Sequence, residues 1–189
     1  CFPFASMHSW DLEHDDGSSP ELTRVVKAYC ELFDRFKVKG AGILFFGPVG
    51  SGKSFRAAQI ANQLIRQGRK VVYTSLPSVA SKMQREDADA VLGRLCALDA
   101  VVLDDLGVER TTPTMQERVF QVVNSLYASS TPSIYTTNQD LSAIAGCQDS
   151  DLQRIYSRIL GRCKPIKVDG KDRRRALSAE IDRLFADVN

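Results

Sequence analysis

Gly42-Ile43-Leu44-Phe45-Phe46-Gly47-Pro48-Val49-Gly50-Ser51-Gly52-Lys53-Ser54 is the stretch that decides the fold. Its first part is a short, wholly apolar run, as expected of a strand buried on both faces of a parallel sheet. It ends in GPVGSGKS, a match to G-x-x-x-x-G-K-[S/T], and a helical pattern follows from about Lys53 to Gln67, stopping at Gly68. Strand, glycine-rich turn and helix in this order form the setting in which that motif holds phosphate. Gly47, Gly50 and Gly52 let the backbone curl so that its N–H groups point at phosphate oxygens, and the helix adds its positive end. Lys53 would bring an ammonium to the outer phosphates, and the Ser54 hydroxyl suits magnesium. The expected nucleotide contacts are Gly47, Pro48, Val49, Gly50, Ser51, Gly52, Lys53, Ser54 and Phe55, with ATP and Mg2+ as ligands.

Working outward, strands and helices alternate. Residues 1–20 are aromatic, then acidic, then turn-rich, and read as an arm; Pro20 and Glu21 suit a helix start. Val25, Val26, Tyr29, Leu32, Phe33 and Phe36 then recur at helical spacing, which predicts one face packed on a core. Val71 to Thr74 and Ala100 to Leu103 read as further strands, with helices over Ser75 to Gln84 and Asp87 to Leu98 between them. A helix over Thr114 to Ala128 and a strand over Ser133 to Thr136 follow, and a last helix is expected over Leu177 to Phe185. Such alternation predicts a parallel sheet covered by helices on both faces, with chemistry at the carboxyl ends of the strands.

Composition bounds the function. A chain of 189 residues, 43% hydrophobic and 25% charged, is long enough for one packed core. The net charge of +2 supplies no overall field for nucleic acid or membrane, so such contacts need local patches. The five cysteines are scattered without metal-ligand spacing, which suits a reduced, cytoplasmic location with Cys30 and Cys96 as small core residues. The apolar runs fall short of the roughly 20 residues that span a bilayer, so no membrane partner is expected. The start lacks the pattern of a signal peptide and an initiator Met, and reads as the remnant of a longer region.

The apolar run Ala100-Val101-Val102-Leu103 ends in Asp104-Asp105, which resembles a Walker B motif. Asp104 would hold magnesium, through a water given the cation's tenacious hydration, and Asp105 would polarise the attacking water. Together, LFFGPVGSGKS, QIANQLIRQGRKVVYTSLPSV and LDAVVLDDLG resemble the DnaC/IstB branch of the AAA+ ATPases over about residues 25–175. The resemblance implies an α/β P-loop NTPase fold, a three-layer α/β/α sandwich with a central parallel sheet and no substantial lid domain. The arm would occupy residues 1–20 and the AAA+ ATPase domain residues 21–189.

Residue by residue, the resemblance makes Asn138, after Tyr135-Thr136-Thr137, the sensor 1 group near the γ-phosphate. It makes Arg158 the arginine finger, with Arg154 one turn earlier as the alternative; both share a helix face that would meet a neighbouring subunit's nucleotide. The stretch Val168 to Arg174 is similar to the family's terminal strand and turn. Arg174, or its neighbour Arg173, would be the sensor 2 group, with a phosphate-binding surface patch as the alternative. Asp-Asp stands where many AAA+ proteins have Asp-Glu, and the shorter acid would slow hydrolysis.

The function implied is that of an ATPase that loads a replicative DNA helicase on single-stranded DNA during DNA replication, self-associating head-to-tail as a ring or helical filament. The alternative within the branch is an IstB-like transposition helper. Outside it stand a small-molecule P-loop kinase and a non-catalytic nucleotide-binding adaptor.

Overall fold

The computed structural model describes residues 5–15, 17–107, 112–146, 149–170, 182, 183 and 185. After a short 3-10 turn, Ala5–Ser9, come α1 (Pro20–Glu31), α2 (Phe33–Lys39), β1 (Gly42–Phe46), α3 (Lys53–Arg66) and β2 (Val71–Ser75). Then follow α4 (Leu76–Arg85), α5 (Ala88–Cys96), β3 (Ala100–Leu106), α6 (Pro113–Ala128), β4 (Ser133–Thr137), α7 (Leu141–Ala145), α8 (Ser150–Arg162) and β5 (Cys163–Lys167). The strands form one parallel sheet in the order β2-β3-β4-β1-β5. The expected parallel α/β architecture is therefore present.

Strand alternation sorts the apolar residues into two layers. Ile43, Phe45, Ala100, Val102 and Ile134 join α1, α2 and α3 on one face. Leu44, Val101, Leu103 and Tyr135 point the other way, against α4, α5, α6 and α8. Three layers result, with the helices of each face burying an apolar stripe on the sheet. Several helices start on side-chain caps: Ser75 for α4, Asp87 for α5, Thr112 for α6 and Asp149 for α8.

The structure corrects the sequence reading at three places. The first helical segment is broken at Leu32 into α1 and α2, and both Leu32 and Val25, 43% and 37% exposed, lie off the core face that the spacing assigned them. The last strand is Cys163–Lys167, directly after α8, rather than the stretch beginning at Val168. Its alternating lysines gave no apolar run to read. Of the two cysteines expected inside, Cys30 is buried but Cys96 only partly so. Arg173, Arg174 and most of the expected helix over Leu177 to Phe185 lie outside the described residues.

The arm is packed along α3. Asn62 on α3 donates to the carbonyls of Met7 and Trp10, both at 2.9 Å, and Gln59 donates to that of Asp11 at 2.9 Å. Trp10 lies 6.0 Å from Phe55 between ring centroids. Arg56 donates to Asp15, Thr23 and Gln59, and Arg66 to Asp11. Burial opposes the charge on Asp15, yet the hydrogen bonds from Arg56 and Thr23 outweigh it and lower its pKa to about 2. His14, then Arg66, hold the Asp11 carboxyl well below the usual carboxylate range despite its burial.

Candidate nucleotide site

The P-loop leaves β1 at the carboxyl end of the sheet, where the strand register sets Phe46 beside Thr137 and Thr137 beside Leu106. Its turn needs glycine at two positions for different reasons. Gly47 has φ +141°, and a Cβ there would lie 2.4 Å from the Val168 carbonyl oxygen. Gly52 has φ +99° and caps α3 without any side-chain hydrogen bond, with open space where its Cβ would point. The positive end of α3 is thereby left to a ligand.

Lys53, only 5% exposed, donates to the carbonyls of Gly47 at 3.0 Å and Pro48 at 2.7 Å. These bonds keep the ammonium over the loop, where it can be exchanged onto phosphate oxygens. Ser51 Oγ is buried and has no hydrogen-bond partner among the described residues. An orphaned hydroxyl inside a glycine turn fits the oxygens of a phosphate group. Beside the loop, Ser51, Gly52 and Phe55 share a cavity of about 340 Å³ with Ser19, Leu22 and Asp169. That volume falls within the range of small-ligand pockets and suits the nucleoside end of a nucleotide.

The two acids stand one residue before the end of β3, in unequal settings. Ser54 Oγ donates to Asp104 Oδ1 at 2.9 Å, and Thr136 Oγ1 donates to the same oxygen at 2.6 Å. Ser54 therefore joins the P-loop helix to β3 while keeping its lone pairs for a cation, and Asp104 stands where a water on that cation would find an acceptor. Asp105 is exposed, with φ +57°, a conformation that costs about 1 kcal/mol or more outside glycine. Its backbone N–H donates to Thr136 Oγ1 at 2.9 Å. Nearby, burial first and then the charge of Asp104 push the Tyr73 hydroxyl far above its ordinary value.

Asn138 lies one residue beyond β4, exposed on the same rim. Arg154 and Arg158 are placed elsewhere. Both guanidinium groups stack on Phe120 of α6, at 4.4 and 4.6 Å from the ring centroid, and Arg158 donates to Asn124 Oδ1 at 2.8 Å. Their shared helix face is as the spacing of four predicts; among the described residues they meet Phe120, Asn124 and Asp151, and Arg158 also donates to the Arg154 carbonyl. Thr136 escaped the sequence reading, although it is a fully buried hydroxyl at the end of a strand, directly before the residues singled out.

The family model of IstB-like ATP binding proteins matches residues 20–180. A putative insertion sequence ATP-binding protein of Sinorhizobium fredii is 34% identical over 98 residues, which are 50% of this chain and 33% of that protein. The replicative helicase loader DnaI of Bacillus subtilis is 25% identical over 150 residues, 72% of this chain and 48% of the loader. This chain thus spans about a third to a half of those curated relatives. The crystal structure of the DnaC helicase loader superposes with a TM-score of 0.75 at 20% identity, covering 88% of this chain and all of that one, which establishes the shared fold. With a family model covering most of its length, the chain belongs to the IstB-like ATP binding proteins.

Proposed function

We propose that this chain binds ATP with Mg2+ between the P-loop and the end of β3, and hydrolyses it. The observation that carries the reading is the Ser54 hydroxyl held on Asp104, which joins the phosphate loop to the acid as a magnesium site requires. In this reading Lys53 and the loop N–H groups bind the phosphates, and Ser54 and Asp104 hold the hydrated cation. Magnesium, if bound there, would neutralise charge on the outer phosphates. Asp105 accepts a proton from, or orients, the attacking water, and Asn138 fixes that water's position.

The work done with this ATP is the loading of a replicative DNA helicase on single-stranded DNA, in the cytoplasm. Supporting it, the match to DnaI extends over 72% of this chain. Among the described residues no helix is long and apolar enough to cross a membrane. Transposition helper is the second reading, favoured by the 34% identity to the insertion sequence protein. Head-to-tail self-association would let Arg158 of one subunit serve the nucleotide of the next. Its support is the arginine pair on α8, which rests on α6 and its own helix.

Measuring Mg2+-dependent ATP turnover with and without single-stranded DNA and a replicative helicase tests this. Turnover that responds to both partners is expected. A folded wild-type protein that binds ATP without turning it over would leave the adaptor reading instead. Asp105→Asn should keep ATP and magnesium but lose turnover, whereas Asp104→Asn should raise the magnesium requirement.

A further inference from the structure

Between β3 and β4 the parallel pairing slips. Leu103 pairs with Tyr135 and Leu106 with Thr137, so Asp104 and Asp105 together stand opposite the single residue Thr136. Such bulges are rare in parallel pairs and re-aim the side chains around them. The ladder cannot serve both acids there, and the Thr136 side chain takes its place. Its oxygen accepts the Asp105 N–H at 2.9 Å, and its one proton goes to Asp104 Oδ1 at 2.6 Å.

We propose that Thr136 is the positioning residue of this site, one buried hydroxyl that fixes the side chain of Asp104 and the backbone of Asp105 together. This rests on the ATP-hydrolysing reading above. The direction of its hydrogen bonds is set by chemistry: an amide N–H only donates, so the Thr136 proton is left for the carboxylate. Asp104 then accepts from Thr136 on one side and Ser54 on the other, through the same oxygen. Its rotamer is thereby fixed before any cation arrives. Asp105 is held in a left-handed backbone that a non-glycine residue adopts only when its surroundings over-determine it. Thr136 is fully buried, so water cannot replace either bond.

Thr137 is the internal comparison. It is equally buried, but its hydroxyl donates to the Leu106 carbonyl at 2.8 Å and accepts from the Gln139 N–H at 3.2 Å, touching neither acid.

The test compares Thr136→Val, Thr136→Ser and Thr137→Val in the full chain, with two readouts. In the nucleotide-free protein, hydrogen exchange at the Asp105 amide is expected to quicken at least about tenfold in Thr136→Val and to return near wild type in Thr136→Ser. With ATP, Thr136→Val should raise the Mg2+ concentration for half-maximal activity and lower kcat by about tenfold to a hundredfold, as expected when one hydrogen bond to a charged group is lost. ATP affinity without magnesium should stay within about threefold, because the P-loop is untouched. In an Asp104→Asn background the effect of Thr136→Val on the Mg2+ requirement should shrink, since neighbours in one network are not additive. Should Thr136→Val fail to fold, Thr136→Cys, a weak donor of similar size, replaces it and should fall between serine and wild type on one side and complete loss on the other.

Wild-type exchange and Mg2+ dependence in Thr136→Val would overturn the proposal, as would Thr136→Ser no better than valine or Thr137→Val with the same effect. If wild-type protein turns over no ATP, the hydrolysis reading fails. Exchange at Asp105 and Mg2+-dependent binding of ATP still decide the role of Thr136.

Discussion

Arg56 on α3 and Arg154 on α8 occupy opposite faces of the same sheet, and they are treated in opposite ways. The Arg56 side chain is 3% exposed and tied to Asp15, Thr23 and Gln59, so the helix that starts at the P-loop is strapped from outside by the arm. Arg154 is 57% exposed and rests on a ring, with Arg158 beside it and held by Asn124. A buried arginine is there to be satisfied, because removing its partner strands a charge. A stacked, exposed one stays able to leave for a better anion. The α3 side is thus tied to the arm by buried bonds, and the α8 side presents charge outward.

The sharpest way to break this comparison is Arg158→Ala. Turnover should fall by roughly a thousandfold or more while the ATP affinity of an isolated subunit hardly moves, the size expected when an arginine finger is lost. Mixing Arg158→Ala with Lys53→Ala gives each neighbour what the other lacks, and steady-state assays of the mixture should recover part of the activity. Recovery at no mixing ratio would place the arginines outside catalysis and make α8 a plain surface.

Next in size is the arm. Arg56→Ala should destabilise the fold by about 3 kcal/mol in urea denaturation, because it leaves the nearly buried Asp15 carboxylate with hydrogen bonds from Thr23 and the Gly17 N–H but no opposite charge. Arg154→Ala, by contrast, should change stability by less than about 0.5 kcal/mol, as exposed substitutions usually do. Equal losses would mean that the two arginines bear equally on the fold.

Lys53→Ala sharpens the α3 side from within. It removes the ammonium at the loop while the apolar core of α3 remains, so ATP affinity should drop roughly a hundredfold in titration calorimetry with melting temperature nearly unchanged.

The smallest effect is with pH. Asp15 is held near 2 against an unfolded value of about 3.9, and Asp11 is lowered in the same direction. A depressed carboxylate contributes stability that is complete above its unfolded pKa and lost as pH falls through its folded one. Stability should therefore be flat in this respect above about pH 5 and decline from about pH 4 towards 2. Trp10 fluorescence should report the arm leaving Phe55 in that window. In Asp15→Asn the Asp15 part of that decline should disappear.

Much of this was legible in the residues. The wholly apolar run before GPVGSGKS implied a buried parallel strand, and the helix after it ends within one residue of the expected position. Asp104 was singled out by its apolar run and Ser54 by its motif, while the hydrogen bond that joins them is known only from the structure. Thr136 was not legible, since a threonine before Thr137-Asn138 has the same local meaning whether its hydroxyl meets an acid or a backbone carbonyl. Nor was the break at Leu32, where apolar residues kept helical spacing across the end of one helix and the start of the next.

The sequence by itself determined what is local: which runs become strands, where glycine must let the backbone turn, and which residues can bind phosphate or a cation. Only tertiary structure decided what depends on two distant segments meeting. The slip between β3 and β4 set two acids against one hydroxyl 32 positions away from Asp104. The arm's aspartates found Arg56 and Arg66 across 41 and 55 positions. Spacing along a chain carries the periodicity of a helix or strand, whereas partners across a sheet are chosen by register and burial, which no single segment contains.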